Sequence, residues 1–148
     1  MTRKKIFCTF LLAITLILGI GSTGVYANNH SDTTFSFSLS STHMSGESSK
    51  REKQDTSSTY VNVEQVPSKG AWFSVYGYIP VGDAGTMTWV DETKNGRVIL
   101  TKGKWLVRQY VYERGGRSAK LFVSKYYQDG TVSGKWSPDS QGAYTYAN

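Results

Sequence analysis

Few residues of this chain have the types and spacing that chemistry requires. Nucleophilic catalysis needs a Ser, Thr, Cys or Lys activated by a neighbouring base. The two histidines, His30 and His43, both fall in the polar N-terminal third, where nothing holds them against a hydroxyl. Asp91 and Glu92 are adjacent and so point to opposite sides of an extended segment, while Asp83, Glu113, Asp129 and Asp139 sit in or beside turns, where acidic residues serve turn geometry. No glycine-rich phosphate loop and no calcium-loop spacing occurs. The expectation is a protein that is not an enzyme and takes no cofactor.

One metal site depends on processing. Cleavage after Ala27 would start the mature chain at Asn28-Asn29-His30, whose amine, two backbone amides and third-position imidazole supply four nitrogens in a plane. Copper(II) and nickel(II) favour that arrangement. His30 is thus a conditional metal ligand, and a visible absorption band on copper addition that disappears in His30→Ala is its test.

Positive charge concentrates in one stretch. Residues 97–125 carry a net +7 (eight basic, one acidic), whereas residues 28–66 carry −2 (three basic, five acidic). Where this charge goes depends on strand register. Val98 to Trp136 reads as three antiparallel strands joined by the Gly115-Gly116 and Asp129-Gly130 turns. A two-residue loop at Gly115-Gly116 would set Arg114 against Arg117 and mix both faces. A three-residue loop pairs Glu113 with Arg117 and is preferred, because it removes a like-charge pair and segregates apolar from charged side chains. Trp105, Val107, Gln109, Val111, Ala119, Leu121 and Val123 then face a core. The opposite face becomes a basic surface interleaved with rings: Lys104, Arg108, Tyr110, Tyr112, Lys120, Phe122 and Tyr126, with Arg114 and Arg117 at its turn. Such a surface has three readings. It can be a solvated sheet face on which Lys and Arg stems cover apolar area. It can attract an anionic cell-wall polymer or a membrane surface with strong salt dependence. It can bind nucleic acid, which rings and Arg also suit, but export argues against that partner.

The elements that must position these residues are strands. Pro is scarce while Val, Thr, Tyr, Trp and Phe are plentiful, and no helical-period segment follows the first 27 residues. Thr34 to Ser41 alternates strictly, with Phe35, Phe37 and Leu39 on one face. Thr42 to Ser58 is polar and is expected to be a flexible loop. Tyr60 to Val63 resumes strand character, and Trp72 to Ile79 is apolar on both faces, which predicts a place in a sheet centre or under a covering layer. Asn95-Gly96 is a hairpin-type turn. About seven or eight strands predict an all-β fold, a small antiparallel β-sandwich or open barrel.

Residues 1–27 read as a signal peptide: Arg3, Lys4 and Lys5, an apolar run from Ile6 to Ile20, and the small-x-small site Val25-Tyr26-Ala27. The apolar run is shorter than the roughly 20 residues of a spanning helix, which disfavours a retained anchor. The single cysteine, Cys8, lies inside it. The mature chain is then cysteine-free, without disulfide or thiolate chemistry, as suits a product secreted by a single-membrane bacterium. Residues 28–148 are expected as one domain: a strand plus polar segment to residue 58, then the β domain proper.

The exported leader, the Phe35-Ser36-Phe37-Ser38-Leu39 start, the Tyr60 to Val63 strand, Lys102-Gly103 before an aromatic strand, and Val132-Ser133-Gly134-Lys135-Trp136-Ser137 before an acidic tail resemble a family of small exported proteins of Bacillus-type bacteria. That family is uncharacterised and carries no functional residues over. The chain departs from it in the Arg-rich Gln109 to Lys120 segment and the charged Lys50 to Asp55 loop. In architecture alone it is similar to exported β-sandwich bacteriocins. These observations lead us to expect a secreted, non-catalytic β domain that interacts with the bacterial cell envelope or an extracellular macromolecule. A bacteriocin-like antibacterial effector is the alternative.

Overall fold

The computed structural model describes residues 30–148, so the expected signal peptide lies outside the described residues. Among the described residues the chain forms eleven strands and no helix: β1 (Thr33–Leu39), β2 (Ser45–Glu47), β3 (Arg51–Glu52), β4 (Thr59–Gln65), β5 (Ala71–Val81), β6 (Thr86–Asp91), β7 (Val98–Leu100), β8 (Gly103–Val107), β9 (Ser118–Ser124), β10 (Gly130–Ser137) and β11 (Thr145–Tyr146). They make two sheets. The first runs β1-β10-β4-β8-β11, and the second β2-β9-β5-β6, with β3 also on β9 and β7 also on β5. The all-β expectation holds.

Period-two alternation explains how the core is filled. Phe35 and Leu39 of β1, Val61 and Val63 of β4, Val107 of β8, and Val132 and Trp136 of β10 point inward from the first sheet. Phe73, Val75 and Ile79 of β5 and Ala119, Leu121 and Val123 of β9 meet them from the second. Burying each such aliphatic or phenylalanine side chain is worth roughly 1.5–3 kcal/mol.

The three strands expected between Val98 and Trp136 do not pair with one another. β8 pairs with β4, Trp105 opposite Val61, whereas β9 pairs with β5, Leu121 opposite Val75. The expected hairpin arms lie in different sheets, and neither register at Gly115-Gly116 occurs. The cause lies just past β8. Gln109 turns its amide inward, donating from Nε2 to the Ser57 carbonyl at 2.9 Å and accepting the Val111 N–H on Oε1 at 2.8 Å. The chain then winds tightly, with Arg114 N–H donating to the Tyr110 carbonyl at 3.0 Å and Gly116 N–H to that of Val111 at 2.8 Å. That winding drops Val111 into the core. A Cβ on Gly116 would lie 2.8 Å from both Ile79 Cγ2 and Val111 Cγ1, and one on Gly77 2.7 Å from Val111 Cγ2. The glycine is there for close packing under a crossover, not for a hairpin. Gly116→Ala is therefore expected to cost about 1–3 kcal/mol by overpacking, read as a lower midpoint in urea.

The Asp129-Gly130 turn behaves alike. It carries the chain from the second sheet to the first, where Trp136 lies opposite Thr33 and Val61 rather than Val123. Val123 and Trp136 still share the core, but across the sandwich instead of along one sheet. Asn95 and Gly96 adopt the left-handed conformation of a turn, with φ of 64° and 83°. They do not close a hairpin, since β6 and β7 both pair with β5, at Tyr76–Val81 and Ala71–Phe73 respectively. Between them Thr93 Oγ1 accepts the Val75 N–H at 2.8 Å and stands in for a ladder bond. The polar Thr42 to Ser58 stretch, expected as a flexible loop, instead lays β2 and β3 along β9. Short, charged edge strands of this kind protect a sheet margin.

Glu92 lies under this crossover with its side chain 2% exposed and Oε1 3.1 Å from Arg114 Nη1. Burial pushes its carboxyl pKa up, Arg114 opposes, and Asp91 adds to the rise. A carboxyl with a raised folded pKa binds more protons folded than unfolded between its ordinary and raised values, so stability falls as pH rises through that window. Thermal unfolding followed by circular dichroism should show a midpoint that climbs on acidification from neutral pH into that window, with a flatter response in Glu92→Gln.

Candidate functional site

β5 is inward-facing on one side only. Phe73, Val75, Gly77 and Ile79 face the core, which leaves Trp72, Tyr76 and Tyr78 on the outer face of the second sheet. Of the two settings expected for a strand apolar on both sides, β5 has the sheet centre, between β9 and β6, and among the described residues no layer covers these rings: Tyr78 is 38% exposed and Trp72 and Tyr76 are half-buried. Neighbouring strands extend the row. β6 places Trp89 directly opposite Tyr78, with ring centroids 5.3 Å apart. β9 sets Lys120 opposite Tyr76 and Phe122 opposite Ser74, and Phe122 closes on the Tyr76 ring at 5.2 Å. Tyr126, just past β9, meets Trp72 edge-on at 5.1 Å. Three ring pairs thus run along β5 from residue 72 to residue 78, about 20 Å at strand rise. Ile99 opposite Trp72 and Met87 opposite Pro80 lengthen the apolar strip.

Two cations lie on these rings. The Arg97 guanidinium sits 4.4 Å over Trp72 and Lys120 Nζ 4.3 Å over Trp89. Lys120 also bonds Glu47 Oε2 at 2.6 Å. Burial first, then Asp91 and Glu47, push the Tyr76 phenol pKa up, with Lys120 opposing. The hydroxyl therefore stays a neutral donor. Ring pairing adds about 0.5–1.5 kcal/mol per pair beyond area burial. The strip is fixed before any ligand arrives, which lowers the ordering cost of binding.

Of the nine residues expected to share a basic aromatic face, the structure brings Lys120, Phe122 and Tyr126 onto this strip and disperses the rest. Lys104 stands on β8 in the first sheet, bordering a cleft of about 440 Å³ with Tyr60, Tyr144, His30 and Asp32. Arg108 stacks on Tyr146 at 3.7 Å and bonds the Asn148 carbonyl. At the crossover Arg117 covers Tyr112 at 3.8 Å, Arg114 engages Glu92, and Tyr110 is exposed. Trp72, Tyr76, Tyr78, Trp89 and Arg97 were not among the expected residues. The signal was present: closing a hairpin over the Gly82 to Gly85 loop sets Tyr78 against Trp89.

His30 has both ring nitrogens buried without a hydrogen-bond partner. Of the other donors of the expected copper or nickel site, those at Asn28 and Asn29 lie outside the described residues. Among the described residues no three His, Cys, Asp or Glu side chains cluster as metal ligands. None of them forms a helix long and apolar enough to cross a membrane.

Fold and face together define a two-sheet all-β domain with an aromatic, cation-capped outer surface. The chain belongs to DUF2712, a family of proteins of unknown function, whose match covers residues 23–140. Comparison with curated proteins and with solved structures finds no match.

Proposed function

We propose that this protein is a secreted, non-catalytic domain of a Bacillus-type bacterium that binds a glycan-based polymer of the cell envelope along the outer face of the second sheet. The observation that carries the reading is the row of three ring pairs, at 5.1, 5.2 and 5.3 Å, open to solvent and capped by Arg97 and Lys120. A contiguous apolar strip with a polar rim marks an interaction surface. Tyr and Trp pair an apolar ring with a polar tip. A sugar unit is the complement, with a C–H face to lie on the ring and hydroxyls to meet the tip. The strip is long enough for several units of an extended chain. Glu47 and Asp91 nearly balance Lys120 and Arg97, so ring contact outweighs charge and an anionic substituent on the polymer would gain little.

The test is co-sedimentation of the purified protein with isolated cell walls of a single-membrane bacterium, before and after their anionic polymers are stripped, at low and high salt. Pelleting at low salt that is largely kept at high salt is expected, because ring contacts are not screened. Absence of pelleting under every condition would overturn the reading. A bacteriocin-like effector would also clear a lawn of related cells, and binding without clearing is expected here.

A further inference from the structure

Lys53 and Asp139 are both fully buried, and Nζ stands 2.5 Å from Oδ1. Lys53 follows β3 at the margin of the second sheet, and Asp139 follows β10 of the first. Their contact therefore bridges the two layers, 86 residues apart in sequence. The groups around them are arranged as for an acyl transfer. The Ser57 carbonyl accepts from Nζ at 2.5 Å and orients the amine. Gln54 N–H donates to Asp139 Oδ2 at 3.0 Å, where charge would develop on attack at Cγ. Asp55 Oδ1 lies 3.6 Å from Nζ, on a side chain 37% exposed, and can move a proton between that site and water. Burial pushes the Asp139 carboxyl pKa up, against the hydrogen bond and charge of Lys53.

We propose that Lys53 and Asp139 condense into an intramolecular amide that staples the two sheets. Moving one proton from Nζ to the carboxyl converts the ion pair into an amine and a carboxylic acid, the pairing a dry site favours over separated charges. The Nζ lone pair then attacks Asp139 Cγ, and Gln54 N–H stabilises the oxygen that gains charge. Asp55 takes a proton from Nζ and delivers it to the departing hydroxyl. One C–N bond forms, one C–O bond breaks and one water leaves, with no change of oxidation state. Holding the two groups in contact supplies the effective concentration that the reaction needs. A chain whose one cysteine is Cys8 has no disulfide available for this task.

Intact-mass measurement on the folded protein, denatured just before injection, decides the matter, together with proteolytic peptide mapping. The expected result is a mass one water below that of the linear sequence and a branched peptide joining the Lys53 and Asp139 segments. Lys53→Arg and Asp139→Ala should each restore the full mass, and Asp55→Ala should slow the loss of water. Full linear mass, with Lys53 and Asp139 recovered in separate peptides, would overturn the proposal even if no variant folds. So would a missing water mapped instead to Asp129-Gly130, where a backbone imide could form.

Discussion

Trp72→Ala combined with Trp89→Ala should abolish most cell-wall binding while leaving the domain folded. Large aromatic anchors at the centre of an interface are worth roughly 2 kcal/mol or more each, about thirty-fold in affinity apiece. The pair should therefore weaken binding to isolated walls roughly a thousand-fold when the two losses add. Neither indole belongs to the core, which is filled from the opposite side of β5, so the circular dichroism spectrum should be unchanged. The matching control is Arg108→Gln with Arg117→Gln, two charges the structure places away from the strip. Binding that falls as far in this control as in the tryptophan pair would return the activity to the dispersed basic residues.

The largest stability effect is expected at the Lys53–Asp139 contact. Lys53→Met removes the proposed amide and leaves the Asp139 carboxyl buried without its partner, and stranding one member of a buried pair by itself typically costs about 3–5 kcal/mol. Asp139 keeps only the Gln54 N–H on Oδ2. Replacing both groups, as Lys53→Met with Asp139→Leu, removes the stranded carboxyl but does not restore the amide, so the double variant should lie between the single variant and the parent protein. Urea unfolding of the three proteins measures this. A single variant as stable as the double would show that Asp139 finds water or another donor, and that the pair does not tie the sheets.

Much of the fold was legible because alternation is a local property. Phe35 and Leu39 of β1 and Phe73, Val75 and Ile79 of β5 are buried as their spacing requires. Strand partners were not legible, because a glycine pair reads the same whether it closes a hairpin or lets Val111 pack beneath Ile79. The crossover after β8 is decided by Gln109, whose amide partners include the Ser57 carbonyl 52 residues away. Sequence spacing carries no trace of such a bond. For the same reason Lys53 read as part of a solvated charged loop: its acidic partner comes from the far end of the chain.

Exposure was the harder half of the site. Trp72, Tyr76 and Tyr78 alternate with core residues on β5, and a strand apolar on both faces fits a sheet centre as well as a place under a second layer. The second sheet is covered on one side only, so the rings form a surface rather than a second core. Lys120, Phe122 and Tyr126 lie beside rings, but those rings belong to β5 and β6 instead of β8.

The most direct test of the aromatic face is a two-dimensional ¹⁵N–¹H spectrum of the tryptophan indoles during titration with soluble cell-wall glycan fragments. The chain has four tryptophans. Trp72 and Trp89 belong to the strip, Trp105 Nε1 is tied to the Thr101 carbonyl at 2.9 Å, and Trp136 is fully buried. The Trp72 and Trp89 indole signals are expected to move together with one saturation curve while those of Trp105 and Trp136 stay in place. Saturable movement of Trp105 alone, with Trp72 and Trp89 unmoved, would put the ligand on the first sheet and contradict it.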